Sequence, residues 1–138
     1  MKVPAFPNVG RCIREYDLAS AQTFKEGAAV VLANGEVSEC SADPATVLGF
    51  ALHDAGADPF TTKILVAIAK AHSTFFIEGD RAPTAADIGD VYGIAKDANG
   101  IWHLDTSDTV NTRAEVVDVD LVRGLFEVEI LAANRQFA

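Results

Sequence analysis

Residues 23–52, TFKEGAAVVLANGEVSECSADPATVLGFAL, decide the fold of this chain. Asn34-Gly35 supplies the two positive-φ positions that a type I′ turn requires. This turn is predicted to join a strand at 28–33, which is apolar and rich in β-branched residues, to a return strand at 36–41. Asp43-Pro44 then ends the pairing, because proline has no N–H to donate to a neighbouring strand. The stretch therefore predicts a β-hairpin that leads into a further strand.

Short strands are predicted along the rest of the chain. The run KILVAIAKAH at 63–72 fits a helix by its Ala and Leu content, but Ile64, Val66 and Ile68 alternate as a strand requires. We favour a strand because short β-branched runs surround it. β-Forming residues continue at 73–78, and the other strands are predicted at 12–18, 47–52, 91–95, 101–105, 115–122 and 125–131, with hairpin turns at Asn99-Gly100 and Arg123-Gly124 and at most one helical turn at 83–87.

Together these elements predict an all-β fold: a compact antiparallel barrel or sandwich of about eight short strands, in a single domain from residue 12 to 138. Residues 1–11 are predicted to form an extended N-terminal arm, because their prolines disfavour a helix. No internal repeat is convincing. Only two segments resemble each other, weakly, since 27–31 and 89–93 each begin with a glycine that opens a strand.

Composition limits the partners of the chain. Its 138 residues carry 11 basic and 20 acidic side chains, a formal net charge of −9. Such a charge repels phosphate backbones and anionic membranes, so neither nucleic acid nor a membrane is an expected partner. The N-terminal residues contain no apolar segment of a secretion signal, and no later window has the roughly 18 apolar residues of a membrane span.

The sequence offers no clear catalytic constellation, so we predict that the protein is not an enzyme and has no catalytic or cofactor-binding residues. His103 and Asp105 lie on one face of a predicted strand, with Ser107 two residues further on. No GxSxG turn surrounds the serine, and we interpret the group as surface residues. No glycine-rich phosphate loop is present either.

Carboxylates and cysteines raise two further questions. The last hairpin is predicted to have an apolar face, formed by Val117, Val119 and Leu121 with Phe126, Val128 and Ile130. The carboxylates Asp118, Asp120, Glu127 and Glu129 of the same hairpin either hold a hard cation or form a solvated face; we favour the solvated face and predict no metal site. Cys12 and Cys40 are interpreted as small apolar residues, and a disulfide between them is possible but unsupported.

The N-terminal arm is the only protein-contact site that the sequence suggests. Val3, Pro4, Phe6 and Pro7 offer apolar contacts on a backbone that proline keeps extended. We expect these side chains to contact a neighbouring subunit or a partner protein. The alternative, that the arm packs against its own domain, is equally compatible with the sequence.

The order of these elements resembles that of the capsid decoration, or cement, proteins of tailed bacteriophages. The resemblance rests on FKEGAAVVLANG at 24–35, VLGFA at 47–51, IGDVYG at 88–93 and WHLD at 102–105, and spans residues 20–131. It implies a small β-barrel that binds the outer surface of an assembled icosahedral shell, often as a trimer at local symmetry axes, and stabilises it against internal pressure. The implied partners are the major capsid protein and further copies of this chain, and the implied location is the outer surface of the virion.

A second reading of the sequence stays open. The chain would then be a β-barrel module that binds a small molecule or a glycan, with Trp102 and neighbouring aromatic side chains lining a cavity. One observation separates the two functions: co-sedimentation of the chain with phage heads that lack it, or instead a ligand-dependent rise in its melting temperature.

Overall fold

The computed structural model of the chain describes residues 12–56 and 58–137, and within them the predicted all-β fold class is confirmed. The described residues form ten strands rather than about eight, and two single turns of 3₁₀ helix at Ala85–Asp87 and Ala132–Asn134. The strands are β1 Ile13–Leu18, β2 Ala29–Ala33, β3 Glu36–Glu39, β4 Gly49–Ala51, β5 Lys63–Ile68, β6 Phe75–Ile77, β7 Val91–Lys96, β8 Trp102–Asp105, β9 Ala114–Asp120 and β10 Leu125–Ile130.

The first hairpin forms as its turn sequence predicts. Asn34 and Gly35 have φ angles of 55° and 79°, the two positive values of a type I′ turn. The hairpin at Asn99-Gly100 also forms, but only Gly100 has a positive φ. Its turn is longer, and the Asp97 side chain accepts the backbone N–H groups of Asn99 and Ile101. The ambiguous run at 63–72 contains strand β5, so the choice of strand over helix is confirmed.

Strands β1–β5 form a closed barrel in the order β1-β3-β2-β4-β5. All neighbours are antiparallel except β1 and β3, which pair in parallel where Asp17 meets Glu36 and Leu18 meets Val37. This short parallel pairing closes the barrel, and the prediction of an antiparallel arrangement did not include it. The barrel interior is packed with side chains such as Val30, Ile64 and Val66, all fully buried.

Strands β6–β10 form a second sheet in the order β6-β10-β9-β7-β8. Its two outer strands come together at a parallel bridge between Gly79, which follows β6, and Leu104 of β8. The sheet is therefore curled towards a barrel. Its interior is filled by large apolar side chains that include Phe75, Phe126 and Val128.

The barrel and the second sheet have the same topology. In order along the chain, β1–β5 correspond to β6–β10, and every strand pairing of one half recurs in the other. The glycines noted in the sequence mark equivalent positions: Gly27 donates its N–H to the Ala51 carbonyl at 2.7 Å, and Gly89 donates to the Val116 carbonyl at 2.8 Å. Both glycines have positive φ, 86° and 93°. The fold therefore repeats although the sequence shows no convincing repeat, because backbone pairing is kept where the side chains differ.

The predicted apolar face of the last hairpin is displaced by a β-bulge. In β9, Val116 pairs with Val128 and Asp118 pairs with Glu127, so Val117 is the extra residue. A bulge reverses the alternation of side chains beyond it. As a result Val116 is buried, whereas Val117 is 36% exposed and Leu121, in the turn, is 61% exposed.

Several contacts join the two halves. The Phe50 and Phe75 rings pack edge to face with their centroids 4.9 Å apart. Glu39 accepts the Trp102 indole N–H at 2.9 Å and forms an ion pair with Lys96. After β10 the chain returns to the barrel, where the Gln136 side chain bonds the N–H and the carbonyl of Leu32.

Candidate functional site

The structure does not arrange His103, Asp105 and Ser107 as a base and a nucleophile. The Ser107 hydroxyl donates directly to the Asp105 carboxylate at 2.6 Å, and the Ser107 N–H donates to the same oxygen. The buried Nδ1 of His103 has no hydrogen-bond partner in the described part of the chain. Nucleophilic catalysis requires the base to contact the nucleophile. Asp105 and Ser107 instead form a local turn at the end of β8.

The four carboxylates of the last hairpin each have separate partners, and Asp118 accepts the backbone N–H of Val119 at 2.8 Å. The Arg123 side chain binds Asp120 at 2.7 Å, and the Arg135 side chain binds Glu129 at 3.1 Å. Glu127 accepts the Thr74 hydroxyl at 2.8 Å. Residues 12–56 and 58–137 contain no group of three or more His, Cys, Asp or Glu side chains that could hold a metal ion.

Trp102 is not available for stacking on a sugar ring. It is only 1% exposed, and its indole N–H is bonded to Glu39. A pocket of about 560 Å³ lies beside it, between the barrel and the β7–β8 hairpin, and has Trp102 as its one aromatic lining residue. Sugar binding by stacking needs an exposed ring face. Trp102 therefore gives no support to the glycan-binding alternative.

Cys40 lines the same pocket, but its thiol has low reactivity. Burial, with a smaller contribution from the neighbouring Glu39 carboxylate, raises the pKa of the Cys40 thiol to about 12. The thiolate is the reactive form of cysteine, so this thiol is a poor nucleophile at neutral pH. Both Cys12 and Cys40 are free thiols, as the interpretation of them as small apolar residues requires.

A polar network that sequence analysis missed holds the loop before β7. The Asp87 carboxylate, 3% exposed, accepts two bonds from Arg81 at 2.7 and 3.0 Å, one from the Thr84 N–H and one from the Tyr92 hydroxyl. The bonds from Arg81 are the main reason that the pKa of Asp87 lies well below its ordinary value. Burial, with the bond to Asp87, raises the pKa of Tyr92 to about 12. The capping-box spacing of Thr84 and Asp87 was the available signal.

Large apolar side chains are strongly exposed at one pair of equivalent connections in the two halves. Phe60 lies between β4 and β5 and is 88% exposed; Val122 lies between the equivalent strands β9 and β10 and is 97% exposed. Each follows an aspartate by two residues, and each donates its backbone N–H to that carboxylate: Phe60 to Asp58 at 2.9 Å and Val122 to Asp120 at 3.1 Å. Val110 is held in the same way, since its N–H bonds Asp108 at 3.1 Å, but the matching connection of the barrel exposes no large apolar residue. We therefore call the equivalent pair at Phe60 and Val122 the Asp-x-apolar turns.

The second Asp-x-apolar turn is further braced by Arg123. Its backbone N–H and its side chain both bond Asp120, and its guanidinium lies 5.0 Å from the centre of the Phe76 ring. These bonds, with that from Arg123 N–H first, lower the pKa of Asp120. An aspartate that accepts the N–H two residues on forms a recognised turn. The turns therefore hold Phe60 and Val122 outwards on an ordered backbone.

The predicted contact residues Val3, Pro4, Phe6 and Pro7 lie outside the residues that the structure describes. Their role stays a prediction. Sequence analysis did not single out the Asp-x-apolar turns. Asp58-Pro59-Phe60 and Asp120-Leu121-Val122 share only the aspartate and an apolar third residue, and their equivalence appears once the strands are superposed by register.

No helix in the described residues is long and apolar enough to cross a membrane. Comparison of the chain with protein-family models gives no match, and comparison with curated proteins gives none either. The function is therefore argued from the fold, the surface and the resemblance stated above.

Proposed function

We propose that this chain is a structural protein that binds the outer surface of an assembled bacteriophage capsid and stabilises it, as a decoration or cement protein. Its partners are then the major capsid protein and further copies of itself, its place is the virion surface, and it performs no catalysis. The resemblance in the order of elements supports this function. The exposed surface of the described residues supports a binding role independently.

The observation that carries the proposal is the pair of Asp-x-apolar turns. An isolated exposed apolar side chain needs no explanation on a protein surface. Here, however, Phe60 and Val122 occupy equivalent connections of two equivalent halves, and an aspartate fixes the backbone of each. A chain of net charge −9 gains nothing in solubility from these side chains. Their repeated display favours contact with another protein.

The energies are sufficient for a repeated attachment. Burying one Val or Phe side chain is worth about 1.5–3 kcal/mol relative to leaving it exposed. The turns are ordered before contact, so little entropy is lost when they dock. Many copies on one shell would add these small contributions across the whole surface.

The N-terminal arm provides a second contact in this proposal. Residues 1–11 precede β1, and Val3, Pro4, Phe6 and Pro7 supply apolar side chains that a neighbouring subunit or the capsid protein would cover. Removal of residues 1–9 is expected to lower occupancy on the shell without unfolding residues 12–138. A truncated protein that binds as well as the full chain would remove the arm from the contact.

The experiment that tests the contact compares the full-length wild type and two full-length variants for co-sedimentation with capsids assembled without this chain. Phe60→Ser combined with Val122→Ser is expected to lower binding at least tenfold, because both contacts are lost. Val110→Ser is the matched control: Val110 is 85% exposed but lies in the β8–β9 connection, whose equivalent in the barrel exposes no large apolar residue. Equal binding by the double variant and the control, with circular dichroism unchanged, would contradict the proposed contact.

A further inference from the structure

In the contact between the two halves, the barrel contributes an outer surface and the second sheet contributes one of its ends. Phe50 in β4 pairs with Ala29 of β2 and with Ala67 of β5, so the three side chains form one row across the barrel. Their strand neighbours, such as Val66, face the barrel interior, so the row lies on the outside. All three are nevertheless fully buried, and Phe75 of β6 packs on Phe50. The end of the second sheet therefore covers an outer surface of the barrel.

The equivalent row on the second sheet consists of Val91, Glu115 and Glu129, and among these only Glu129 is partly covered, by Arg135 and the His72 N–H. The pairing of Val91 with Glu115 matches that of Ala29 with Phe50, so Glu115 stands where Phe50 does. Glu115 is exposed, Val91 is 37% exposed, and no ion pair holds Glu115 within the described chain. We call Val91 and Glu115 the Glu115 surface.

Within the described residues, the equivalent end of the barrel is uncovered as well. Arg14 pairs with Val66 in the barrel as Phe75 pairs with Val128 in the second sheet, so Arg14 stands where Phe75 does. Arg14 is exposed and has no ion-pair partner among the residues that the structure describes. The apolar pair that joins the two halves thus has a charged counterpart, Arg14 and Glu115, with opposite signs on the two free surfaces.

The contact between the halves is also one-way. Val37 and Leu104 occupy equivalent positions, because their carbonyls accept the N–H groups of Ala19 and Asp80, respectively. Gly35 and Trp102 stand two residues before them and are therefore equivalent as well. Trp102 is buried against the barrel, whereas Gly35 is exposed. A two-fold arrangement would bury both positions. A contact between two different surfaces can repeat from molecule to molecule and closes into a ring when the rotation allows it.

We propose that copies of this chain associate head to tail, with the Glu115 surface of one copy covering the Arg14 end of the barrel in the next. The contact reuses the arrangement that joins the two halves within one chain, with the Phe50–Phe75 pair replaced by a salt bridge between Glu115 and Arg14. A polar version of the contact keeps single chains soluble and lets copies exchange. A ring of three chains then places six equivalent halves around one axis.

Head-to-tail association rests on the self-association in the proposed function. Capsid binding matters to it only through the position of the exposed turns. A rotation axis keeps equivalent parts at one level. In such a ring the Asp58–Phe60 and Asp120–Val122 turns of every copy would lie on the same face, which is the arrangement that a flat contact with a shell requires. Self-association in solution can be tested without capsids, so failure of one proposal is distinguishable from failure of the other.

Sedimentation velocity of the full chain over a range of concentrations tests the salt bridge. The wild type is expected to form a concentration-dependent oligomer. Arg14→Glu and Glu115→Arg are each expected to weaken association by about tenfold or more, and the double variant to restore it. Glu26→Arg, a charge reversal at an exposed glutamate that belongs to neither surface, is expected to change nothing. A monomeric wild type, unaffected single variants or an unrestored double variant would overturn the proposal.

Cross-linking tests the direction of the contact and does not depend on the charge variants. In a Cys12→Ala background, Arg14→Cys and Glu115→Cys are prepared as separate proteins and oxidised under mild conditions. Only the mixture is expected to give a disulfide-linked dimer, because a head-to-tail contact brings position 14 of one copy to position 115 of another. Equal dimer from either protein alone, or none from the mixture, would overturn the proposal.

Discussion

Phe50 of β4 and Phe75 of β6 pack edge to face, with ring centroids 4.9 Å apart and an interplanar angle of 62°. Phe50 projects from the outside of the barrel, and Phe75 lies among the interior residues of the second sheet, where it pairs with Val128. One aromatic contact therefore links the packing of the two halves, and both rings are fully buried.

Truncation of Phe50 tests this link. Phe50→Ala removes a buried ring from the contact and is expected to cost about 3–5 kcal/mol of unfolding free energy. Phe60→Ala makes the same chemical change at a side chain that is 88% exposed, and is expected to stay within about 0.5 kcal/mol of the wild type. Urea denaturation followed by circular dichroism measures both. Equal stability of the two variants would show that the halves do not depend on the Phe50 ring.

Glu39 is expected to hold the β7–β8 hairpin on the barrel. Glu39→Ala leaves the buried Trp102 N–H without an acceptor, at a cost of about 1–3 kcal/mol, whereas Glu39→Gln keeps an acceptor oxygen and loses only the Lys96 ion pair. The melting temperature should fall more for alanine than for glutamine. A red shift in Trp102 fluorescence should accompany the larger fall. Equal melting temperatures for both variants and the wild type would contradict this role.

The Asp87 network predicts a loss of stability at high pH. Tyr92 has a pKa of about 12 in the folded chain, above the ordinary value of about 10 that it takes when unfolded. Its contribution is therefore fully present below pH 10 and is lost as the pH rises through 12. The unfolding free energy of the wild type should fall more steeply over this window than that of Tyr92→Phe, which has no proton to lose. Parallel curves would contradict the assignment.

The two cysteines are expected to react at very different rates. Cys12 is partly exposed, whereas Cys40 is 7% exposed and its thiol pKa is raised to about 12. A thiol reagent at neutral pH should modify one cysteine per folded chain rapidly, and Cys12→Ala should abolish that fast phase. The second cysteine should react only after denaturant is added. Two fast thiols in the native chain would contradict the burial of Cys40.

The elements that short-range chemistry specifies could be predicted from the sequence. Asn34-Gly35 has one favourable turn type, and the β-branched residues of 63–68 form a strand as predicted. The closure of the barrel at Leu18 and Val37 could not be predicted, because a pairing between distant strands leaves no local signal. The bulge at Val117 also lacked a signal, since valine suits a regular strand equally well.

The candidate site escaped sequence analysis for a related reason. An aspartate followed by an apolar residue two positions later is common, and neither Asp58-Pro59-Phe60 nor Asp120-Leu121-Val122 stands out alone. Their significance comes from equivalent positions in two halves, and that equivalence is carried by backbone hydrogen bonds such as those of Gly27 and Gly89. The repeat is thus a property of strand register rather than of side-chain identity.

The central claim is that this chain binds an assembled capsid and stabilises it, and the most direct test is the heat resistance of filled capsids that lack it. Release of packaged DNA is measured with rising temperature, before and after addition of the purified full chain, with an unrelated protein of similar charge as the control. We predict saturable binding and a higher release temperature once the chain is bound. An unchanged release temperature, with no more protein on the capsids than the control leaves, would contradict the account.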